Sequence, residues 1–234
     1  MASIFKREFK AYFHTPLGYV IIAVAYFFTG YYFFTYNLYG GTTDFTQLYN
    51  LLFPVVLFLV PVLTMRLMSE EKRARTDQLL LTAPVSRFGI IMGKYLSAVC
   101  VFLIAISGTL IDAVITSFYG IVDWPCVIGN FLGIVLLGLA QISICLFLSS
   151  ITESQVIAAV LGFAVSLFLM LVDAISLVVS SKFFQAFFEY ISFSERYNPF
   201  TLGIIELQNV IFFISIAALF CAISTAVLVR KRWN

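Results

Sequence analysis

Six long apolar stretches run through the chain and are separated by short polar connections. They cover about residues 17–38, 49–68, 88–118, 125–148, 155–179 and 209–229. An α-helix needs about 20 residues to cross a hydrocarbon layer of ~30 Å, and these stretches lack the alternation typical of barrel strands. Because lipid offers the backbone no hydrogen-bonding partner, each stretch is expected to be helical. The pattern therefore predicts an all-α integral membrane protein with six transmembrane helices.

The composition agrees with a membrane location. Hydrophobic residues make up 62% of the 234 residues and charged residues 11%, whereas soluble domains average roughly 45–50% and about 25%. Six crossings use about half of the chain, so we predict a single transmembrane domain over residues 1–234 with short connections. The net charge of +2 is too small and too dispersed to favour nucleic-acid binding.

The distribution of basic residues predicts the orientation. Of the 14 Lys and Arg residues, all except Lys182 and Arg196 fall on one side of the predicted membrane. Short loops rich in Lys and Arg stay in the cytoplasm. We therefore expect a multi-pass protein of the cell membrane with both termini in the cytoplasm.

The segment before Pro16 is the first of three non-spanning segments in which we expect function to be concentrated. Apolar and basic side chains recur there at helical spacing, the apolar ones being Ile4, Phe5, Phe9, Tyr12 and Phe13 and the basic ones Lys6, Arg7 and Lys10. This pattern predicts an amphipathic helix in the membrane interface. It is compatible with a simple lipid anchor and with a contact to a cytoplasmic partner.

The connection between the second and third spans is the second such segment. Ser69 is placed to cap a helix whose first turn carries Glu70 and Glu71, the charge favoured at that end. Three leucines follow at 79–81, and Pro84 disfavours helical continuation. We predict a short cytoplasmic helix with Glu71 and the leucines on an exposed face that a protein or membrane surface covers. By physics alone, a solvated loop with a few salt bridges is nearly as favourable.

The third segment, residues 180–208, lies on the outer side. Its apolar face consists of Phe183, Phe184, Phe187, Phe188 and Ile191. This pattern is typical of an amphipathic helix at the outer interface. We expect Asn198-Pro199 to interrupt it and residues 201–206 to form a second short helix. Both a surface location and a re-entrant one are compatible with the sequence.

Two carboxylates within apolar spans, Asp112 and Asp173, are candidate functional residues. At ~1.5 Å per residue both lie toward the outer leaflet. They could form a polar patch on a substrate path or a dimer seam, or they could be solvated helix ends. Small residues at Gly129/Gly133 and Ala158/Gly162 allow close helix approach, although this spacing is frequent in membrane helices.

Motifs for catalysis and for metal binding are missing from the sequence. It contains no P-loop, no H-E-x-x-H and no C-x-x-C pattern, and its lone histidine, His14, stands at the predicted cytoplasmic interface. We expect no catalytic residue, no metal and no cofactor in this chain. Any ATP that drives it is therefore expected on another polypeptide.

Three local sequences carry a resemblance to a known family. They are IFKREFKAYFHTPLGYVI near the start, SEEKRARTDQLLLTAPVSRFGIIMGKYL in the second connection and SERYNPFTLGIIELQNVIFFISI before the last span. Together with the order of segments, they resemble the ABC-2 type permeases of ATP-binding cassette transporters. The resemblance is closest to the gliding-motility-associated branch and more distant to the membrane subunit of nitrous-oxide reductase maturation systems.

The resemblance implies a type V exporter-like fold and a set of partners. A second permease chain, identical or different, would complete the membrane dimer, and two ATPase subunits carrying ATP and Mg would dock beneath it. The implied coupling residues are Ser69, Glu70, Glu71, Lys72, Arg73, Thr76, Asp77, Leu79 and Leu80, beside Phe5, Lys6, Arg7 and Glu8 of the interfacial helix. Membrane lipid and an extracytoplasmic auxiliary protein are further expected partners.

Two other functions stay open from the residues themselves. An ion-coupled carrier would use Asp112 and Asp173 without ATP. A membrane scaffold would anchor an extracytoplasmic partner through residues 180–208 and move no solute.

Overall fold

The computed structural model describes residues 1–74, 86–178, 188 and 190–230, with the side chains of 173–178 and 230 excepted. All regular elements in these ranges are helices. They are α1 (Ala2–His14), α2 (Pro16–Tyr32) with a π-helical extension (Phe33–Leu38), α3 (Thr46–Thr64), α4 (Ser69–Arg73), α5 (Arg87–Ile106), α6 (Gly108–Ser117), α7 (Trp124–Ile151), α8 (Gln155–Val178), α9 (Phe193–Thr201) and α10 (Leu207–Arg230).

The prediction of six spans is confirmed. Within the described ranges, six helical stretches are long and apolar enough to cross a membrane: Pro16–Leu38, Thr46–Arg73, Arg87–Ser117, Trp124–Ile151, Gln155–Val172 and Leu207–Val229.

The third span differs from the single helix predicted over 88–118, because it breaks at Ser107 into α5 and α6. The Ser107 hydroxyl donates to the Ile104 carbonyl at 2.7 Å, and the Tyr26 hydroxyl donates to the same carbonyl at 3.1 Å. The two hydroxyls take the place of the backbone N–H that would bond the Ile104 carbonyl in a continuous helix. The break places the Tyr26 ring against Gly108, where an added Cβ would lie 3.1 Å from the ring.

α7 is the central helix of the bundle and contacts α3, α5, α8, α9 and α10. In its most apolar 18-residue stretch, 67% of the residues are buried, against 22% in the corresponding stretch of α10. Glycines permit the close packing around it. A Cβ at Gly138 would lie 2.0 Å from the Phe102 ring, and one at Gly133 would lie 2.5 Å from Phe200. The close approach predicted for Gly133 is thus confirmed, with α9 as the neighbour.

A proline in α3 is compensated by a side chain from another span. Pro61 has no N–H, so the carbonyl of Leu57 loses its usual helical partner. The hydroxyl of Ser166 in α8 donates to that carbonyl at 2.6 Å and accepts from Gln141 of α7 at 2.8 Å. A Cβ at Gly162 would lie 2.8 Å from Pro61, so α8 can approach this closely only because residue 162 is glycine. Three spans are therefore joined at the proline.

The described part of the outer segment folds into the bundle. Phe193, Tyr197 and Phe200 of α9 are buried, and the Tyr197 hydroxyl donates to the Tyr49 carbonyl at 3.0 Å. The predicted amphipathic face at residues 183, 184 and 187 lies outside the described residues.

Two expectations for this segment are wrong. Pro199 lies within α9 and does not interrupt it, and residues 202–206 are not helical. The helix ends because Gly203 adopts a positive φ of 76°. The N–H of Gly203 donates to the Phe200 carbonyl, and the N–H of Ile204 donates to the Pro199 carbonyl. These two hydrogen bonds form the Schellman arrangement.

Candidate coupling junction

α1 is fixed against the bundle by one row of side chains. Ile4 packs on α5 at Gly93, where an added Cβ would lie 3.0 Å from the isoleucine side chain. The hydroxyl of buried Tyr12 donates to the Leu63 carbonyl of α3 at 2.9 Å. Burial, reinforced by the charge of Glu8, raises the pKa of Tyr12 well above its ordinary value, so it stays a neutral donor. The predicted interfacial helix is therefore docked on the second and third spans.

Lys94 of α5 is the centre of the junction between α1, α4 and α5. Its side chain is 1% exposed. The ammonium donates to Glu8 at 3.1 Å and to the Leu67 carbonyl at 2.7 Å, and it lies 2.9 Å from Glu71 of α4. These contacts match the three donors of an ammonium group. A buried charge needs such pairing, because an unpaired one is strongly destabilising.

Arg7 completes an ion-pair cluster, defined here as Arg7, Glu8, Glu71 and Lys94. Its guanidinium lies 2.5 Å from both carboxylates, and its side chain is 52% exposed. Partial burial opposes its charge, but the hydrogen bonds and charges of Glu8 and Glu71 outweigh this and raise the pKa of Arg7. The cluster joins two cations to two carboxylates. Lys94 is its buried cation, and Arg7 is its solvent-exposed cation.

α4 is also held by the end of α7. The Ser149 hydroxyl accepts hydrogen bonds from the backbone N–H groups of Met68 at 3.1 Å and Ser69 at 3.2 Å. The ammonium of buried Lys72 donates to the Ser150 carbonyl. The last turn of α7 therefore makes a direct contact with the second connection.

The predicted cap at Ser69 is wrong. Met68 occupies the cap position, and the hydroxyl of Ser69 donates to the Met65 carbonyl within the preceding turn. The Ser149 hydroxyl, from another helix, instead accepts from the first free N–H groups at this end, those of Met68 and Ser69. Sequence periodicity contains no signal for such a long-range cap.

The predicted exposure of Glu71 is also wrong, since its side chain is 16% exposed and faces Lys94 and Arg7. Glu70 is 48% exposed and pairs with Arg66 at 2.9 Å. Arg73 is exposed as well. Of the interfacial residues, Phe5 is half-buried and Lys6 is exposed. The candidate coupling residues Thr76, Asp77, Leu79 and Leu80 lie outside the described residues.

The intramembrane carboxylates lie in α6 and α8, neither of which carries a residue of the ion-pair cluster. Asp112 is in α6, and its Oδ2 is buried without a hydrogen-bond partner among the described residues. Asp173 lies in α8, with its side chain outside the described part. Among the residues that the structure describes, no three His, Cys, Asp or Glu side chains gather in a way that could hold a metal.

The fold defines a class of protein, a six-span helical membrane protein with an interfacial first helix locked to its second connection. The family model described as ABC-2 family transporter protein matches residues 33–232. The chain therefore belongs to the ABC-2 transporter family and is the permease, a membrane subunit for transport. The match leaves out α1 and α2, and with them Arg7 and Glu8. No curated protein matches the chain.

Proposed function

We propose that this chain is the permease subunit of an exporter in the cell membrane, driven by ATP hydrolysis on a separate ATPase. ATP and Mg belong to that subunit, and a second permease chain, identical or different, completes the membrane dimer. The gliding-motility-associated branch is the proposed subfamily. The basic residues that flank α1, α4 and α10 support a cytoplasmic location for both termini.

The ion-pair cluster carries the proposal. The segment proposed to meet the ATPase begins at α4, and Glu71 of α4 is bound to Lys94 in α5 and Arg7 in α1. Ser149 and Ser150 bind the same segment to α7. Packed elements move as units, because interiors are close-packed. A displacement of α4 by a docked ATPase would therefore move the ends of several spans together.

The side chains of Glu70 and Arg73 are exposed to solvent and can contact a partner, whereas buried Lys72 donates to the Ser150 carbonyl inside the protein. The leucines at 79 and 80 are proposed to fill an apolar groove of the ATPase. This divides the candidate residues into those that bind the ATPase and those that pass its motion to the membrane.

The first test is a mild-detergent pull-down of the tagged chain, with the co-purifying proteins identified by mass spectrometry. We expect a near-stoichiometric P-loop ATPase and its loss in Leu79→Asp/Leu80→Asp. Replacing Ile204 and Ile205, exposed at the opposite end, by Asp is the matched control and should keep the ATPase. A chain that is stable alone and recovers no ATPase would contradict the proposal. ATPase binding without any solute transport would favour the scaffold function instead.

One observation favours a second candidate, an ion-coupled carrier. The buried Oδ2 of Asp112 has no hydrogen-bond partner among the described residues, and intramembrane carboxylates of this kind occur on ion pathways. A carrier would transport solute as an isolated chain in proteoliposomes under a proton or sodium gradient. The exporter would require the ATPase and ATP.

A further inference from the structure

α1 carries three parallel rows of side chains, each spaced by four residues. The first row is Ile4, Glu8 and Tyr12, the second is Phe5, Phe9 and Phe13, and the third is Lys6, Lys10 and His14. Residues four apart lie on one face of a helix, and neighbouring rows are rotated by about 100°. The first row faces the bundle through its contacts with Gly93, Lys94 and Leu63. The rotation of α1 is therefore fixed, and with it the direction of the other two rows.

The second row is an aromatic ladder. The rings of Phe5 and Phe9 stack at 5.9 Å, Phe9 and Phe13 meet edge-on at 5.1 Å, and Phe13 meets Tyr19 of α2 at 5.4 Å. Tyr19 is 59% exposed and lies in the first turn of the first span. Because the first candidate span begins at this turn, we expect the ladder at the edge of the hydrocarbon layer, where aromatic rings are favoured.

The third row lies next to the ladder on the side turned away from the bundle. Lys6, Lys10 and His14 are all exposed. Neither lysine forms an ion pair with any residue that the structure describes, whereas Arg7, Arg66 and Lys94 of the same end are paired. The two ammonium groups are thus available at headgroup depth, beside rings that would contact the upper acyl chains.

We propose that Lys6 and Lys10, together with the aromatic ladder, form a binding surface for anionic phospholipid in the leaflet that covers α1. Charge complementarity selects the headgroup, because basic residues near an anionic leaflet are attracted to it. A docked protein would need no aromatic row at hydrocarbon depth. The surface needs no ATPase, so it can be tested on the chain alone and does not depend on the proposed transport function.

The test is native mass spectrometry of the detergent-solubilised chain titrated with phosphatidylglycerol or phosphatidylcholine. We expect phosphatidylglycerol to bind the wild type more tightly and Lys6→Gln/Lys10→Gln to weaken it by up to roughly 30-fold, or about 1 kcal/mol per lysine. Phosphatidylcholine binding should not change. Lys6→Arg/Lys10→Arg is the matched control and should retain the preference.

Equal binding of both lipids by the wild type would overturn the proposal, as would unchanged phosphatidylglycerol binding by the glutamine variant. If the glutamine variant kept its lipid binding but lost the ATPase in the mild-detergent pull-down, Lys6 and Lys10 would contact protein instead of lipid. Both variants should melt at the wild-type temperature, because all substituted side chains are exposed. That result excludes unfolding as the cause of any change in lipid binding.

Discussion

The ammonium nitrogen of Lys94 lies 2.9 Å from the carboxylate of Glu71, joining α5 in the third span to α4 at the end of the second. Lys94 also holds Glu8 of α1 at 3.1 Å. One buried cation therefore sets the positions of three helices at the proposed ATPase-facing end.

Replacing Lys94 by Met should lower the free energy of unfolding by about 3–5 kcal/mol, because Glu8 and Glu71 would stay largely buried with Arg7 as their remaining cation. Adding Glu8→Gln and Glu71→Gln should recover part of this loss, since no carboxylate then lacks its partner. Thermal unfolding in detergent measures both. A triple variant less stable than Lys94→Met would contradict this account of the cluster.

Charge reversal at two adjacent residues should have different consequences. Glu71→Lys puts a third cation beside Lys94 and Arg7, so the yield and melting temperature of the chain alone should fall. Glu70→Lys removes only an exposed pair with Arg66, worth about 0–1 kcal/mol, and should leave the chain stable while weakening ATPase co-purification. Size-exclusion profiles and pull-downs separate the two effects. If Glu71→Lys gave a fully stable chain, the ion-pair cluster would not be structural.

Removing the hydroxyl of Ser166 should cost about 1–3 kcal/mol, because it leaves the Leu57 carbonyl unpaired beside Pro61. In a Pro61→Ala background the restored backbone N–H bonds that carbonyl, so Ser166→Ala should cost less. The expected coupling is about 0.5–3 kcal/mol in a double-mutant cycle measured by thermal unfolding.

Ser97→Ala is the control for this cycle, because the buried Ser97 hydroxyl bonds the Lys94 carbonyl within its own helix. Its cost should be the same with and without Pro61. Strict additivity for Ser166 and Pro61 would show that the hydroxyl does not replace the missing proline donor.

Neutralising the intramembrane carboxylates by Asp112→Asn and Asp173→Asn should leave the fold intact and alter solute transport or basal ATP turnover. An amide removes the charge and keeps the shape, and Oδ2 of Asp112 has no described partner to lose. Reconstituted ATPase and transport assays check this. Wild-type activity in both variants would show that neither aspartate takes part in transport.

The sequence predicted two elements of the candidate site and missed the side-chain contacts that join them. It identified α1 and the beginning of α4 but treated Lys94 only as a flanking basic residue. A signal was present, because a charged residue inside an apolar run usually has a buried partner. Nothing in the sequence marked Ser149 as the group that bonds the N–H groups of Met68 and Ser69.

The amino-acid sequence by itself determined the six spans and the family. Both can be recognised from local segments. In lipid, a long apolar run must form its own backbone hydrogen bonds and is therefore a helix, and the family is recognised from three local sequences. Only the tertiary structure decided that Glu71 faces inward to Lys94, that Ser166 serves the Leu57 carbonyl and that α9 folds into the bundle. Those outcomes depend on which helices pack together, and packing joins residues far apart in the chain through shape and hydrogen bonds that periodicity does not record.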